Sequence, residues 1–463
     1  MSELFDRRRF LGLGAGLLGG TVLSPLVAQA ARAAQGPGAA DKRALVCVFL
    51  QGGLDADDVL IPYDQADYDA YAAVRAPLHE AYAVEGATRA RDALLPLTGG
   101  GGGWQGGRAF AMPPELPRLA ALFDAGHAAV VGSLGPLEER TDAAGVQNGG
   151  RVPPRLFSHI DQEREWARLA EPSELTGWGG RIADAALGPD RDVFTAIAPG
   201  ASALWAHGQT RQPLTVTKLD PQRTQGTDDQ LFGNREAARI FREHLLDATT
   251  DAPTAFARDY AARQASGVAA QNRLADAFAT TTAGAGLDDP DNPLARQLAV
   301  VARSLALRDT LGASRQVFYV NFTGFDTHQN QAETLVPRLA MIDAALGAFW
   351  DWLVDAGMTE EVTLFTTSDF GRTLQPNASG TDHGWAGHSF VLGGAVRGGR
   401  ILGEVPPAGL GHAYDLGRGR VVPTTASEQM TVPLARWFGV PEADMPSVFP
   451  RAERFDLSAI DLF

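Results

Sequence analysis

Apolar residues are distributed in two distinct rhythms along this chain. Ala44 to Leu50 (Ala-Leu-Val-Cys-Val-Phe-Leu) is an unbroken apolar, β-branched run that ends at Gln51-Gly52-Gly53-Leu54-Asp55. A run of that length with no polar alternation predicts a strand buried on both faces, as in a parallel sheet. Ala128 to Leu134, Asp192 to Ala198, Gln316 to Phe322, Glu361 to Thr367 and Ser389 to Gly393 are further predicted strands. Between the fourth and fifth, Leu335, Leu339, Ile342, Leu346, Phe349 and Leu353 recur every three or four residues, which is one stripe of a helix. Strand, helix, strand in that order is a crossover unit that sets its two strands parallel. The predicted fold class is therefore α/β.

From about Asp228 to Gly312 strand signals stop, and Ala, Leu, Arg and Gln dominate. Ile240, Leu245, Phe256 and Tyr260 mark the apolar positions of a predicted helical insertion. Gly99 to Gly103, with Trp104 and Gly106-Gly107, reads as a loop; no Lys-Ser or Lys-Thr follows, so it is not a phosphate-cradling loop of the P-loop kind.

The first 33 residues have another character. Arg7, Arg8 and Arg9 precede Phe10-Leu11 and a Gly- and Leu-rich stretch from Gly12 to Val27, the layout of a twin-arginine export signal. Ala28-Gln29-Ala30 and Ala31-Arg32-Ala33 predict cleavage after Ala30 or Ala33. At about 16 residues the apolar segment falls short of the roughly 20 that span a bilayer. The expected organisation is a signal over 1–33 and one α/β domain over 34–463 carrying the helical insertion. Its expected destination is the periplasm or the exterior, with the twin-arginine translocase as partner during export and no stable membrane span afterwards.

Losing Met1 to Ala33 removes four arginines against Glu3 and Asp6, so the formal charge moves from −15 to −17. Such a field repels phosphate backbones and excludes nucleic acid as an expected partner. Cys47 is the one cysteine, so no intramolecular disulfide forms. Stability has to come from the core, and 45% apolar residues supply one.

In open α/β sheets ligands bind beyond the carboxyl ends of the strands. The residues there are acidic or histidine: Asp55 after the first strand, Asp326 and His328 after the fourth, Asp369 after the fifth, and Asp382 and His383 before the sixth, with His388 five residues on. Carboxylate and imidazole together suit one or two divalent ions, zinc, manganese or iron rather than calcium or magnesium. Asp55 alone fits a helix N-cap equally well. His388 alone fits a hydrogen-bonded structural residue.

These segments resemble a large family of exported bacterial proteins, domain of unknown function 1501. The matching pieces are Phe49 to Asp55, Ser158-His159 with Gln162 and Trp166, Gly177 to Arg181, Gly324 to His328, Ser368 to Arg372, Gly380 to Gly384, and Gly393-Gly394 with Gly398-Gly399. That family is similar to the alkaline phosphatase and sulfatase superfamily. The resemblance implies a mostly parallel central sheet with helices on both faces and metal ligands at Asp55, Asp326, His328, Asp369, Asp382 and His383. Phe370 stands where many relatives carry His, so one ligand comes from elsewhere or one metal is missing.

The superfamily's nucleophile is a Ser, Thr or formylglycine at the start of a helix. Cys47 lies inside a strand without the Cys-x-Pro-x-Arg setting that formylglycine requires. Ser158 is the candidate that remains, with Thr141 behind it, and Ser158 fits a helix N-cap as well. His159 is the candidate base or metal ligand, and Arg155 or Arg372 the candidate oxyanion clamp. Arg155, Arg181 and Arg372 together would make a local basic pocket.

Three functions compete. The first is an exported metal-dependent hydrolase or transferase acting on the phosphate or sulfate ester of a small molecule or glycan. The second is a non-catalytic exported envelope or binding protein that keeps the fold. The third is a carbohydrate-binding module using Trp104, Trp178, Trp205 and Trp385.

Overall fold

The computed structural model describes residues 42–99, 105–188, 193–201, 203–227, 230–250 and 254–463. The expected export signal, Trp104, Gly100 to Gly103, Asp192, Asp228 and the side chain of Leu245 lie outside the described residues.

The strands, in chain order, are β1 (Arg43–Gln51), β2 (Ile61–Pro62), β3 (Leu95–Pro96), β4 (Phe110–Met112), β5 (Ala128–Gly135), β6 (Ala196–Ala198), β7 (Leu214–Thr215), β8 (Arg315–Thr323), β9 (Val362–Ser368), β10 (Gly387–Leu392), β11 (Ile401–Leu402) and β12 (Thr425–Ala426). The main sheet runs β11, β5, β10, β9, β1, β8, β6, β7, with β12 paired to β5. Every pairing in it is parallel except those of β10, which runs antiparallel to β5 and β9. β2, β4 and β3 form a small separate sheet. The chain is thus a mixed α/β protein built on a mostly parallel central sheet.

The longer helices are α1 (Gln65–Val84), α2 (Pro117–Asp124), α3 (His159–Arg168), α4 (Trp178–Leu187), α5 (Arg235–Thr250), α6 (Ala255–Phe278), α7 (Pro293–Ala306), α8 (Gln331–Asp355) and α9 (Ser427–Phe438). Alternation along β1 shows how they divide. Ala44, Val46, Val48 and Leu50 point into a core with Phe123 of α2, Leu298 and Leu305 of α7 and the whole α8 stripe from Leu335 to Leu353. Leu45, Cys47 and Phe49 point the other way, onto Trp166 of α3, Trp178 and Ile182 of α4 and Phe438 of α9. A strand covered on both faces needs apolar residues at every position, which is the pattern of Ala44 to Leu50. Each Leu, Val and Phe side chain of that run contributes about 1.5–3 kcal/mol on burial.

α5 and α6 pack against each other, and α7 packs on α8 and β8. Ile240, Phe256 and Tyr260 are exposed, whereas Ala238, Ala261, Ala270 and Leu274 are buried. Ala270 and Leu274 pack into the main core, whereas the large apolar residues Ile240, Phe256 and Tyr260 lie on the outward side. Trp178, Trp205 and Trp385 are all core residues, with at most 1% of their surface exposed. That removes them as a sugar-binding surface. Among the described residues no helix is long and apolar enough to cross a membrane.

Candidate metal centre

Because β10 is antiparallel, its start lies at the same rim as the carboxyl ends of β1, β5, β8 and β9. The segments carrying Asp326 and His328, Asp369, and Asp382 and His383 meet there. α3, which follows β5 in the chain, brings His159 at its first residue. Close backbone approach makes the meeting possible. Gly52, at φ +119°, leaves no room for a side chain, since a Cβ there would sit 2.4 Å from the amide nitrogen of Asp326. At Gly371 a Cβ would lie 1.8 Å from the Ala386 carbonyl oxygen. The Gly371 amide donates to Trp385 and the Gly384 amide to Gly371, so Arg372 and His383 face each other across a short bridge.

Three imidazoles converge. His383 Nε2 lies 3.1 Å from His159 Nε2 and 2.8 Å from His328 Nε2. Asp326 Oδ1 sits among them, 3.5 Å from His159 Nε2, 3.2 Å from His328 Nε2 and 3.3 Å from His383 Nε2.

The opposite ring nitrogens explain the orientation. His383 Nδ1 is 2.8 Å from the Phe157 carbonyl, which only accepts, so Nδ1 carries the proton and Nε2 presents its lone pair. His159 Nδ1 lies 2.6 Å from Asp369 Oδ2, and His328 Nδ1 lies 3.3 Å from Asp382 Oδ1. Each carboxylate fixes the same tautomer. The His383 lone pair then stands at contact distance from those of both His159 and His328, an arrangement that repels unless a proton or a cation lies between them. His159, Asp326 and His383 place one ligand atom each within 4.8 Å of one another. Outer partners of this kind, acceptors on the far nitrogen of each histidine, are what orient imidazole ligands at metal sites.

Charges are tuned to match. The hydrogen bond to Asp369 raises the pKa of His159 above its ordinary value, against partial burial. Burial, with the charges of Arg372 and His159, lowers that of His383. Burial opposes ionisation of Asp326, but Arg372 and the neighbouring histidines outweigh it and hold the carboxyl below its usual range. The inner wall is buried and the outer one open: Asp369 and Arg372 side chains are 0% exposed, Asp326 47% and His328 43%.

The other expected residues take different positions. Asp55 is not in the group. Its oxygens accept from Arg75 Nη1 at 2.5 Å and Nη2 at 2.8 Å and from Gln331 Nε2 at 2.6 Å, so both are committed to a buried ion pair apart from the histidines. Asp369 and Asp382, expected as ligands, stand one layer out. Asp369 Oδ1 accepts from the Gly52 amide at 3.0 Å, and Asp382 also takes Asn377 and Arg418. Arg372 is not an oxyanion clamp: its guanidinium is spent on the carbonyls of Gly53, Phe325 and Thr381 and on Asp326 at 2.7 Å.

Ser158 is at the N-cap position of α3, but its hydroxyl donates to Asp161 at 2.7 Å rather than facing the cluster. Thr141 turns toward the Asp142 carbonyl, and Arg155 reaches out beside Asp161 with 78% exposure. Arg181 is buried against the carbonyls of Thr176 and Val448, so the expected basic pocket does not form from these three arginines. Burial pushes the Cys47 thiol well up, which fits a strand residue in the core. His388 accepts the Ser133 amide at 3.0 Å in a structural role.

Two groups escaped the sequence reading. The Phe157 carbonyl, at a residue with φ +72°, carries no signal in side-chain type. Arg420 sits at the mouth of the site beside His383, and the Gly417-Arg418-Gly419-Arg420 alternation was a usable hint.

Fold and site together define a mixed α/β protein with a histidine-rich cluster at the carboxyl rim of its sheet. The chain belongs to the family described as protein of unknown function DUF1501, whose model matches residues 42–445. No curated protein matches it.

Proposed function

We propose that this chain is an exported, metal-dependent hydrolase or transferase of phosphate or sulfate esters, with an alkaline phosphatase-like fold. The observation that carries the metal is the convergence of three Nε2 lone pairs whose opposite nitrogens are all committed to acceptors. The ligands are His159, His328, His383 and Asp326. Three imidazoles to one carboxylate favour zinc, then manganese or iron, over calcium. An ion held there supplies a Lewis acid that polarises an ester oxygen and offsets the charge developing on it.

The chain's own residues do the positioning. Arg372 anchors Asp326, Asp369 fixes His159, and Phe157 with Asp382 fixes the other two rings. Exposure of Asp326 and His328 leaves that side of the site open to a substrate. Export is supported by Arg7 to Leu11 and the alanine-rich sites at Ala30 and Ala33. The periplasm or exterior is its destination.

One observation favours a second reading, a non-catalytic exported protein that keeps the fold and the metal. Ser158, the expected nucleophile, is bonded to Asp161 instead of facing the cluster.

Metal content of purified wild type against the His328→Ala, His383→Ala double variant tests the centre. About one ion per chain in wild type and none in the variant is expected; a metal-free wild type refutes the reading. Turnover of aryl phosphates and sulfates that chelator abolishes and zinc restores separates the two functions. No turnover by zinc-loaded protein leaves the non-catalytic one standing.

A further inference from the structure

The cleft outside the cluster is lined by Phe157, His328, Asp382, His383, Leu416 and Arg420. Arg420 differs from the other two arginines near the site. Arg372 is bonded to Asp326, and Arg418 to Asp382 at 2.6 Å. Arg420 donates only through Nε, to the His383 carbonyl at 3.0 Å, and its guanidinium carbon lies 5.7 Å from the centre of the Phe157 ring. Neither terminal nitrogen has a hydrogen-bond acceptor among the described residues. The planar fork is therefore steered by two contacts with its far end uncommitted.

Its loop is held in place. Asp415 Oδ1 accepts the amides of Gly417 at 2.7 Å and Gly419 at 2.8 Å, while Oδ2 accepts that of Gly411 at 2.8 Å. Arg418 adopts φ +61° between the two glycines, so the turn is built for one shape. A guanidinium presented this way loses little freedom on binding.

Charge counting gives the sign of the ligand. Asp326, Asp369 and Asp382 are matched by Arg372, Arg418 and Arg420, and the histidines are neutral when they ligate. Glu163, hydrogen-bonded to Gln51 near Asp369, adds one negative charge when ionised. A divalent ion would leave the site with one or two positive charges in surplus, the Arg420 guanidinium included. Phe157 and Leu416 give the same cleft an apolar wall.

Resting on the metal-dependent ester reading above, we infer that Arg420 is a specificity-determining residue. Its terminal N–H groups clamp the anionic head of a small phosphate-type ester, whose carbon portion lies on Phe157 and Leu416. The overall charge of −17 for the exported part keeps out polyanions, so the ligand is a small molecule with one charged head.

The probe is inorganic phosphate, titrated into zinc-loaded wild type, Arg420→Gln and Arg420→Lys and followed by calorimetry or phosphorus NMR line width. Zinc content is measured on each. A charge-assisted fork contributes enough that Arg420→Gln should weaken phosphate by about 10- to 100-fold. Arg420→Lys should recover part of that loss, and zinc content should not change. With an aryl phosphate the loss should fall mainly on KM.

Equal phosphate affinity in wild type and Arg420→Gln overturns the inference and leaves the metal reading intact. Zinc-loaded wild type that binds no phosphate overturns the inference and the ester chemistry together. A wild type that takes up no zinc brings down the centre itself.

Discussion

Asp55→Asn tells a ligand from a structural anion, because the two roles predict opposite results. Asp55 and Arg75 are both 0% exposed and paired at 2.5 and 2.8 Å, with Gln331 also donating to Oδ2. Asn keeps the shape but turns an amide N–H₂ toward a guanidinium. Breaking one side of a buried ion pair costs about 3–5 kcal/mol, because the other charge stays buried without its partner. Asp57, at 3.5 Å and partly exposed, compensates a little, which points to the lower half of that range. For a chain of roughly 420 residues the unfolding entropy is about 0.9 kcal/mol/K, so the midpoint should fall by about 3–5 °C. The assay is a thermal melt with and without zinc, alongside metal analysis. Both curves of the variant should drop together, with the zinc-induced increment and the metal content as in wild type. Loss of zinc with an unchanged metal-free midpoint would refute this and make Asp55 a ligand.

Asp369→Asn keeps the hydrogen bond to Gly52 or the one to His159, but a single carbonyl oxygen cannot serve both as the carboxylate does. Zinc affinity, measured by chelator competition, should fall by about 10- to 100-fold as for other outer partners of metal-bound histidine; a change under twofold would sink the orienting role. Gly52→Ala should prevent Asp326 from reaching the histidines, since its φ of +119° and the 2.4 Å approach both exclude a Cβ. Metal content and midpoint should drop together, and a variant with wild-type values of both would contradict the close approach. Burial raises the Glu428 pKa to about 7 against the pull of Arg451, with Glu165 and Glu138 adding to the rise. The folded chain therefore holds a proton that the unfolded chain has already released between pH about 4.5 and 7. Stability contributed by that group falls as pH rises through this window. Glu428→Gln, which cannot ionise, should gain stability relative to wild type between pH 5 and pH 8 in urea titrations; parallel profiles would dismiss the effect.

Much of the scaffold could be read directly from the sequence. The continuous run from Ala44 to Leu50 and the α8 stripe each have a physical cause that survives folding, namely cover on both faces or on one. The glycines of the Gly-Phe-Asp-Thr-His and Asp-Phe-Gly-Arg segments have separate causes: Gly371 lies against the Ala386 backbone, whereas Gly324 combines φ +102° with the Arg338 side chain. Arg75 was not visible as a partner of Asp55: it lies in mid-helix 20 residues on, where an arginine ordinarily reads as a solvated face. His159 is 169 residues from His328, and no periodicity links residues brought together by separate strand ends. The acidic residues after the strands were found, but not their layer. Whether a carboxylate binds an ion or steadies the histidine that does depends on a few tenths of a nanometre, which the order of residues does not encode.

The donors of the centre come from the start of α3, from the segment after β8 and from the segment before β10, so they meet only when the sheet has formed. A site assembled this way cannot exist in the unfolded chain, and the free energy of metal binding becomes free energy of folding. Under the proposed reading this ties the centre to the N-terminal arginines. Twin-arginine export carries folded proteins, so a chain that folds before export would load its ion from the cytoplasmic supply, where availability as much as affinity selects the metal. Asp369 and Arg372 are buried and hydrogen-bonded, while Asp326 and His328 are exposed on the outer side. Solvent therefore reaches the site from the side of Asp326 and His328, and an ion there would replace the repulsion between neighbouring imidazole lone pairs with attraction.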